Sequence, residues 1–324
     1  MIPRRLLVSA SVALATLLPL SMAYAQAWPT KPVRVVVPFA AGGPADALAR
    51  FLANKMAADV GQTIVIDNKG GAGGTLGAAD VIRSNDGHSL LFSSTGALVI
   101  VPALTPNLSY NPERDLAAIG QAVITPSVIV VSAKSPFNTL ADLVKFAKAN
   151  PGKLNFASAG SGTSTQLGAE LLKKEAGIFM THIPYRGAAP ATTDLIAGVA
   201  DMMVADVPAV VSLIKGGQLR ALAVASPTRS PALPETPTTA ESGLKGVVSG
   251  TWYGLMAPAR TPPDVIAKVN AALNKALQHP DSLAYFKLQG VKPVGGSADE
   301  FGQFIRAEAN KWGTLAKAVG VKLD

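Results

Sequence analysis

The stretch 28-WPTKPVRVVVPFAAGGPADALAR-50 decides the fold. Val33–Val37 reads as a short buried strand, residues 38–43 as a loop, and Pro44–Asp46 as the opening of a helix. A strand that runs at once into a helix leaves unpaired N–H groups and the positive dipole end facing outward. Such a place suits an anion such as a carboxylate. Gly42 and Gly43 let a ligand approach the backbone, and Pro44 suits a first helical turn. Phe39, Ala41, Gly42, Gly43 and Asp46 are the candidate ligand-binding residues of this loop. Many strand–glycine–helix turns bind nothing, and Asp46 in a first turn is already explained by the helix dipole.

Outward from this stretch, apolar strands alternate with helical segments. Helix 45–58, strand 63–67, helix 76–84 and strand 89–93 follow, a βαβα pattern that predicts a parallel open sheet. A second set comprises strand 127–132, helix 140–150, strand 155–157, helix 165–176, strand 179–183, helix 189–197, strand 202–205 and strand 219–226. Thr139 with Asp142 makes a capping-box start for the 140–150 helix, and Pro151-Gly152 ends it. Residues 226–237 hold four prolines and read as a connector. Strand 251–257 and amphipathic helices 263–277 and 298–319 finish the chain. Two α/β sets joined by at least two crossings predict a bilobed protein whose ligand sits outside the strand C-termini.

The second set has its own glycine loop, 159-AGSGTS-164, between a strand and a helix. Gly160 and Gly162 free the backbone, while Ser161, Thr163 and Ser164 offer hydroxyls that could cap the helix opening at Thr165 and Gln166. Capping alone explains many such runs. Two loops facing each other across a cleft could grip both ends of a dicarboxylate without an arginine, through charge-assisted hydrogen bonds.

Residues 1–25 read as an export signal: Arg4 and Arg5, an apolar run over 6–20, then Ala23-Tyr24-Ala25 as a small-x-small cleavage site before Gln26. With no cysteine, a lipid anchor, disulfides and thiol catalysis are excluded. Removing Arg4 and Arg5 lowers the formal charge of +8 to about +6 over roughly 299 residues. That excess is dispersed, with no basic stripe for nucleic acid. His88, His182 and His279 have no metal-ligand spacing. No Gly-x-Ser-x-Gly centres on the 161–164 loop, and 71-GAGGTL-76 lacks the third glycine or alanine of a dinucleotide fingerprint. Asp46 and Asp67 are potential acids without a paired geometry.

The chain resembles the Bug-type solute-binding proteins of tripartite tricarboxylate transporters. Trp28, Pro29, Lys31–Arg34, Val37–Phe39, Gly42, Gly43, Asp46, Ala49 and Arg50 match the family opening. Ser158, Ala159, Gly160, Gly162, Thr163 and Leu167 match its second ligand loop, with Gln166 where a histidine is common. The stretches 67-DNKGGAGG-74 and 182-HIPYRG-187, which contains Tyr185, are similar too. Val101 replaces a frequent asparagine, and Ala205-Asp206 replaces a frequent Asp-Asn pair. Asp206 could therefore meet a ligand amine, hydroxyl or water, or simply cap the next turn. The resemblance implies an α/β, two-lobed type II (Venus-flytrap) periplasmic binding protein with an open sheet in each lobe. Residues 26–125 with 227–324 would form lobe 1, and 126–226 lobe 2. It implies a small organic carboxylate as ligand (a di- or tricarboxylate or an aromatic carboxylate), membrane permease subunits as partners, a monomer in the periplasm, and no cofactor, metal or catalysis. An exported α/β enzyme and a ligand-presenting sensory receptor are the alternatives.

Overall fold

The computed structural model describes residues 28–318. The export signal and the Gln26 terminus lie outside those residues. Strand β1 (Val33–Val37) pairs in parallel with β2 (Ile64–Asn68) and β3 (Ser89–Ser94). Helices Pro44–Val60 and Thr75–Arg83 make the crossovers. The 17-residue strand β4 (Leu116–Ser132) then leaves this sheet for a second one. There β5 (Asn155–Ser158) lies parallel to β6 (Thr181–Pro184) and β7 (Met202–Asp206), and β8 (Leu219–Val224) pairs with β4. The chain returns through β9 (Gly250–Pro258), and β10 (Lys292–Gly295) pairs with the first half of β4.

The parallel open sheet expected from the βαβα pattern forms within each set, and antiparallel strands extend it. Parallel pairing holds within β1–β2–β3 and β5–β6–β7, but β9 runs antiparallel to β3 and β4, and β4 runs antiparallel to β7 and β8. The reason is that β4 and β9 carry the chain between the sheets in opposite directions. The first half of β4 was not expected as strand. Its register against β9 shifts between Ala118 and Gly120 and between Gln121 and Val123, which breaks the two-residue alternation. Helices Val207–Lys215 and Pro280–Gln289 and strand β10 are also additions to the expected list.

Helices cover both faces of each sheet, as a buried parallel arrangement requires. Leu48, Leu52 and Met56 of the Pro44–Val60 helix pack on Val33, Val35 and Phe92, while Trp252, Phe301 and Trp312 close the opposite face. Helix Pro44–Val60 starts from Gly43 in an extended conformation with Pro44 in the first turn, and ends on Gly61 at φ 87°. The Thr139–Asp142 capping box forms as read.

At the crossing the two sheets meet in a tight junction. Ser127 N–H donates to Ser249 O at 3.0 Å, Ala225 N–H to Ser127 O at 2.8 Å and Ser249 N–H to Ala225 O at 2.9 Å. Gly250 follows directly, where a Cβ would lie 2.7 Å from Thr125 O.

Leu48 is fully buried beneath the helix that presents the first loop. Leu48→Ala is expected to cost about 2–5 kcal/mol in urea unfolding. A loss under about 1 kcal/mol would show that this helix is not held by its apolar stripe.

Candidate functional site

Both glycine loops open on one pocket in the cleft between the sheets. Phe39, Gly43, Pro44 and Ala45 line it from the first loop, and Ala159, Thr163, Ser164 and Thr165 from the second. Ser94, Ala188, Asp206, Thr251 and Tyr253 line the rest. Of the residues expected from sequence, Phe39, Gly43, Thr163, Ser164, Thr165 and Asp206 thus share one pocket. Ala41, Gly42, Asp46, Gly160, Ser161, Gly162, Gln166 and Tyr185 are not among its lining residues.

Several of the latter shape the loops. Gly42 N–H donates to Asp46 Oδ2 at 3.0 Å, and Gly162 N–H donates to Gln166 Oε1 at 2.7 Å. Each loop is therefore anchored by the side chain four residues on, a shared device in two unlike sequences. Burial works against the Asp46 charge. Hydrogen bonds from Arg50 and from Gly42 outweigh it and hold the carboxyl below its ordinary range. Gln166 Nε2 lies 3.1 Å from His182 Nδ1, and His182 Nε2 lies 2.6 Å from Ser158 Oγ, which accepts the Gly160 N–H. A glutamine at this position thus ties the second loop to β6 through both ends of its amide. His182 has this positioning role, which its scattered place in the sequence did not signal.

Beyond the anchored Gly42 and Gly162, four amides at the two helix starts stay open. Among the described residues no acceptor takes the N–H of Ala45, Asp46, Ser164 or Thr165. These are first-turn groups of helices Pro44–Val60 and Ser164–Ala176, and both helices begin at the pocket. A carboxylate accepting from such amides gains about 1.5–3 kcal/mol per charged hydrogen bond.

Asp206 is 3% exposed. Its Oδ1 accepts from Thr251 Oγ1 at 2.7 Å and its Oδ2 from Tyr253 OH at 2.6 Å. Ser164 Oγ sits 2.5 Å from Thr251 Oγ1, so the chain of hydroxyls runs from the second helix to the carboxylate. Burial pushes the Asp206 carboxyl up to about 6, against the pull of its two hydroxyl donors. Thr251, Tyr253 and Ser94 were missed by sequence reading. Thr251 and Tyr253 belong to a crossing strand, where they read as ordinary alternation. Tyr185 OH donates to Asp194 Oδ2 at 2.7 Å, and burial together with that carboxylate pushes it to about 12. Asp67 pairs with Arg34 at 3.1 Å, outside the pocket lining.

The lobes meet backbone to backbone beside the pocket. Ala40 N–H donates to Arg186 O at 3.0 Å. A Cβ on Gly96 would lie 3.1 Å from Gly162 O, and one on Gly187 3.0 Å from Ala40 N. A Cβ on Gly73, which has φ 63°, would overlap the Ser161 carbonyl oxygen. The glycine-rich 71–74 turn is thus a contact between the two halves, in place of a nucleotide loop.

Two sheets, two crossing strands and a pocket between paired helix ends define a two-lobed periplasmic-binding-protein fold. The periplasmic binding protein BugD has that fold, with a TM-score of 0.88 at 36% identity over 92% of this chain and 100% of its own. The profile of the tripartite tricarboxylate transporter family receptor matches residues 48–321, and the chain belongs to that family, whose members are solute-binding receptors. MatC of Rhodopseudomonas palustris, solved with bound malate, is 32% identical over 89% of this chain and 99% of its own, with a TM-score of 0.84. Rpa4515 of R. palustris, solved with adipate, is 30% identical over 92% of this chain and 100% of its own, with a TM-score of 0.88.

Gly73→Ala should keep the fold but block this lobe contact. Ligand affinity is expected to fall at least about tenfold, with a larger radius of gyration in saturating ligand. Gly198→Ala is the control: its φ of 82° carries similar backbone strain, but nothing lies within 4 Å. Equal affinity losses in the two variants would attribute the effect to strain and remove the lobe contact from the account.

Proposed function

We propose that this chain captures a small organic carboxylate in the interlobe cleft and delivers it to the permease subunits of a tripartite tricarboxylate transporter. The observation that carries the reading is the pair of helix N-termini that begin at one pocket, with open amides at the lining residues Ala45, Ser164 and Thr165 and at Asp46 just behind them. Malate in MatC and adipate in Rpa4515 support the ligand class. The site residues would be Phe39, Gly43, Thr163, Ser164, Thr165 and Asp206, with Asp46 and Gln166 shaping the loops. Residues 26–125 and 227–324 would move as one lobe and 126–226 as the other, pivoting where β4 and β9 cross. A ligand touching both lobes favours the closed form and so shifts the equilibrium toward it.

The receptor acts by binding without turnover. Ser158 Oγ lies within hydrogen-bond reach of His182, but Ser158 is fully buried and is not a pocket-lining residue. Among the described residues no helix is long and apolar enough to cross a membrane. The 1–25 signal supports release into the periplasm with Gln26 as the first residue, and the reading takes the mature receptor as a monomer.

Two measurements test this reading. Small organic carboxylates, acidic amino acids included, should raise the melting temperature of purified protein while remaining chemically unchanged; stabilisation by none of them, or their consumption, would contradict it. Mass spectrometry of exported protein should find Gln26 as the first residue, whereas a retained Met1 would contradict periplasmic release.

A further inference from the structure

We propose that Asp206 makes this receptor select ligands that carry an ammonium group beside the carboxylate held by the helix ends: amino acids over plain dicarboxylates. The inference rests on the carboxylate-receptor reading and names the ligand class of the same pocket.

Asp206 is a buried carboxylate that lines the ligand pocket, and its position there needs a reason. Both of its structural partners are neutral hydroxyls on β9. Among the described residues Tyr253 is the one titratable group hydrogen-bonded to it, and burial and the neighbouring Asp206 hold its phenol well above the ordinary value, so it stays neutral. The other hydroxyl belongs to Thr251, which is bonded in turn to Ser164 of the second helix. On β4, the backbone partner of Asp206 is the uncharged Ser127. Its neighbour on β7 is Ala205, and among the described residues no second acid is hydrogen-bonded to it. Among the described residues no lysine, arginine or histidine forms an ion pair with it.

A buried charge without a cation is costly, and hydroxyl donors offset only part of that cost. Each Asp206 oxygen accepts one donor and has capacity for another. An ammonium arriving from the ligand supplies both the missing charge and the missing donors. A second ionised carboxylate in the same place would meet like charge at short range in a poorly screened site. A ligand hydroxyl would donate a hydrogen bond but leave the charge uncompensated. The open helix-end amides border the same pocket and suit the ligand carboxylate, so a zwitterion finds a complement there for each of its charges.

The test is calorimetric titration at about pH 8, where Asp206 is ionised, with succinate, malate, aspartate, glutarate and glutamate. In the natural protein, aspartate or glutamate should bind at least about tenfold tighter than its unsubstituted parent acid and than malate. Asp206→Asn keeps the shape and should bring each amino acid to within about twofold of its parent. At about pH 6, titration in two buffers of different ionisation heat gives the proton count. The ammonium lowers the Asp206 pKa on binding, so the natural protein should release a proton fraction and Asp206→Asn none. If Asp206→Asn does not fold, the ligand ranking and proton release in the natural protein decide alone. Succinate, glutarate or malate binding as tightly as the amino acids, proton uptake with aspartate, or an undiminished amino-acid preference in Asp206→Asn would each overturn this inference and leave the carboxylate reading standing. Heat from none of the five acids would overturn both.

Discussion

The structure depends on one constraint: a helix cannot pair the N–H groups of its own first turn. Most proteins satisfy those groups with a capping side chain or with water. Here two helices begin at the same pocket, and in each a side chain of the first turn reaches back to a loop amide ahead of the helix, while Thr163 caps only Gln166 N–H in the second. Asp46 takes Gly42 and Gln166 takes Gly162. The loops are thereby held in shape, while the amides of Ala45, Asp46, Ser164 and Thr165 remain unpaired at the helix starts.

Much of the surrounding architecture serves to bring those helix ends together. Parallel units β1–β2–β3 and β5–β6–β7 each place a helix start at a strand C-terminus. The antiparallel strands β4 and β9 join the two sheets and add Thr251 and Tyr253 to the pocket. Small residues then let the halves touch through their backbones, as Gly73 does at Ser161 and Gly187 at Ala40. Side chains at these points would hold the helix ends apart.

The units with short-range logic were legible in the sequence. The strand–loop–helix at Val33–Val37 and Pro44–Val60, the second loop at 159–164 and the capping box at Thr139 all carry their signal within a few residues. What could not be read depends on distant partners. The first half of β4 is irregular because of its pairing with β9, and the antiparallel crossings follow from the sheet-to-sheet path. Residues named as direct ligand contacts divided for a similar reason. Gly42, Gly162 and Gln166 lie in the right loops, but their hydrogen-bonding capacity is used internally, which only the folded geometry reveals. Gln166 stood out as a departure in a resemblance to histidine-bearing loops. Its partner His182 lies 16 residues away on strand β6, beyond the end of the helix that carries Gln166.

The central claim is that open amides from two helices hold one carboxylate ligand together. Proton–nitrogen NMR of the labelled protein, titrated with the carboxylate that stabilises it most, tests this directly. The account predicts that the amides of Ala45, Asp46, Ser164 and Thr165 move downfield with a single shared binding curve, as N–H groups do when they donate to an anion. Shifts confined to one loop, or four unmoved amides under a saturating ligand, would contradict it.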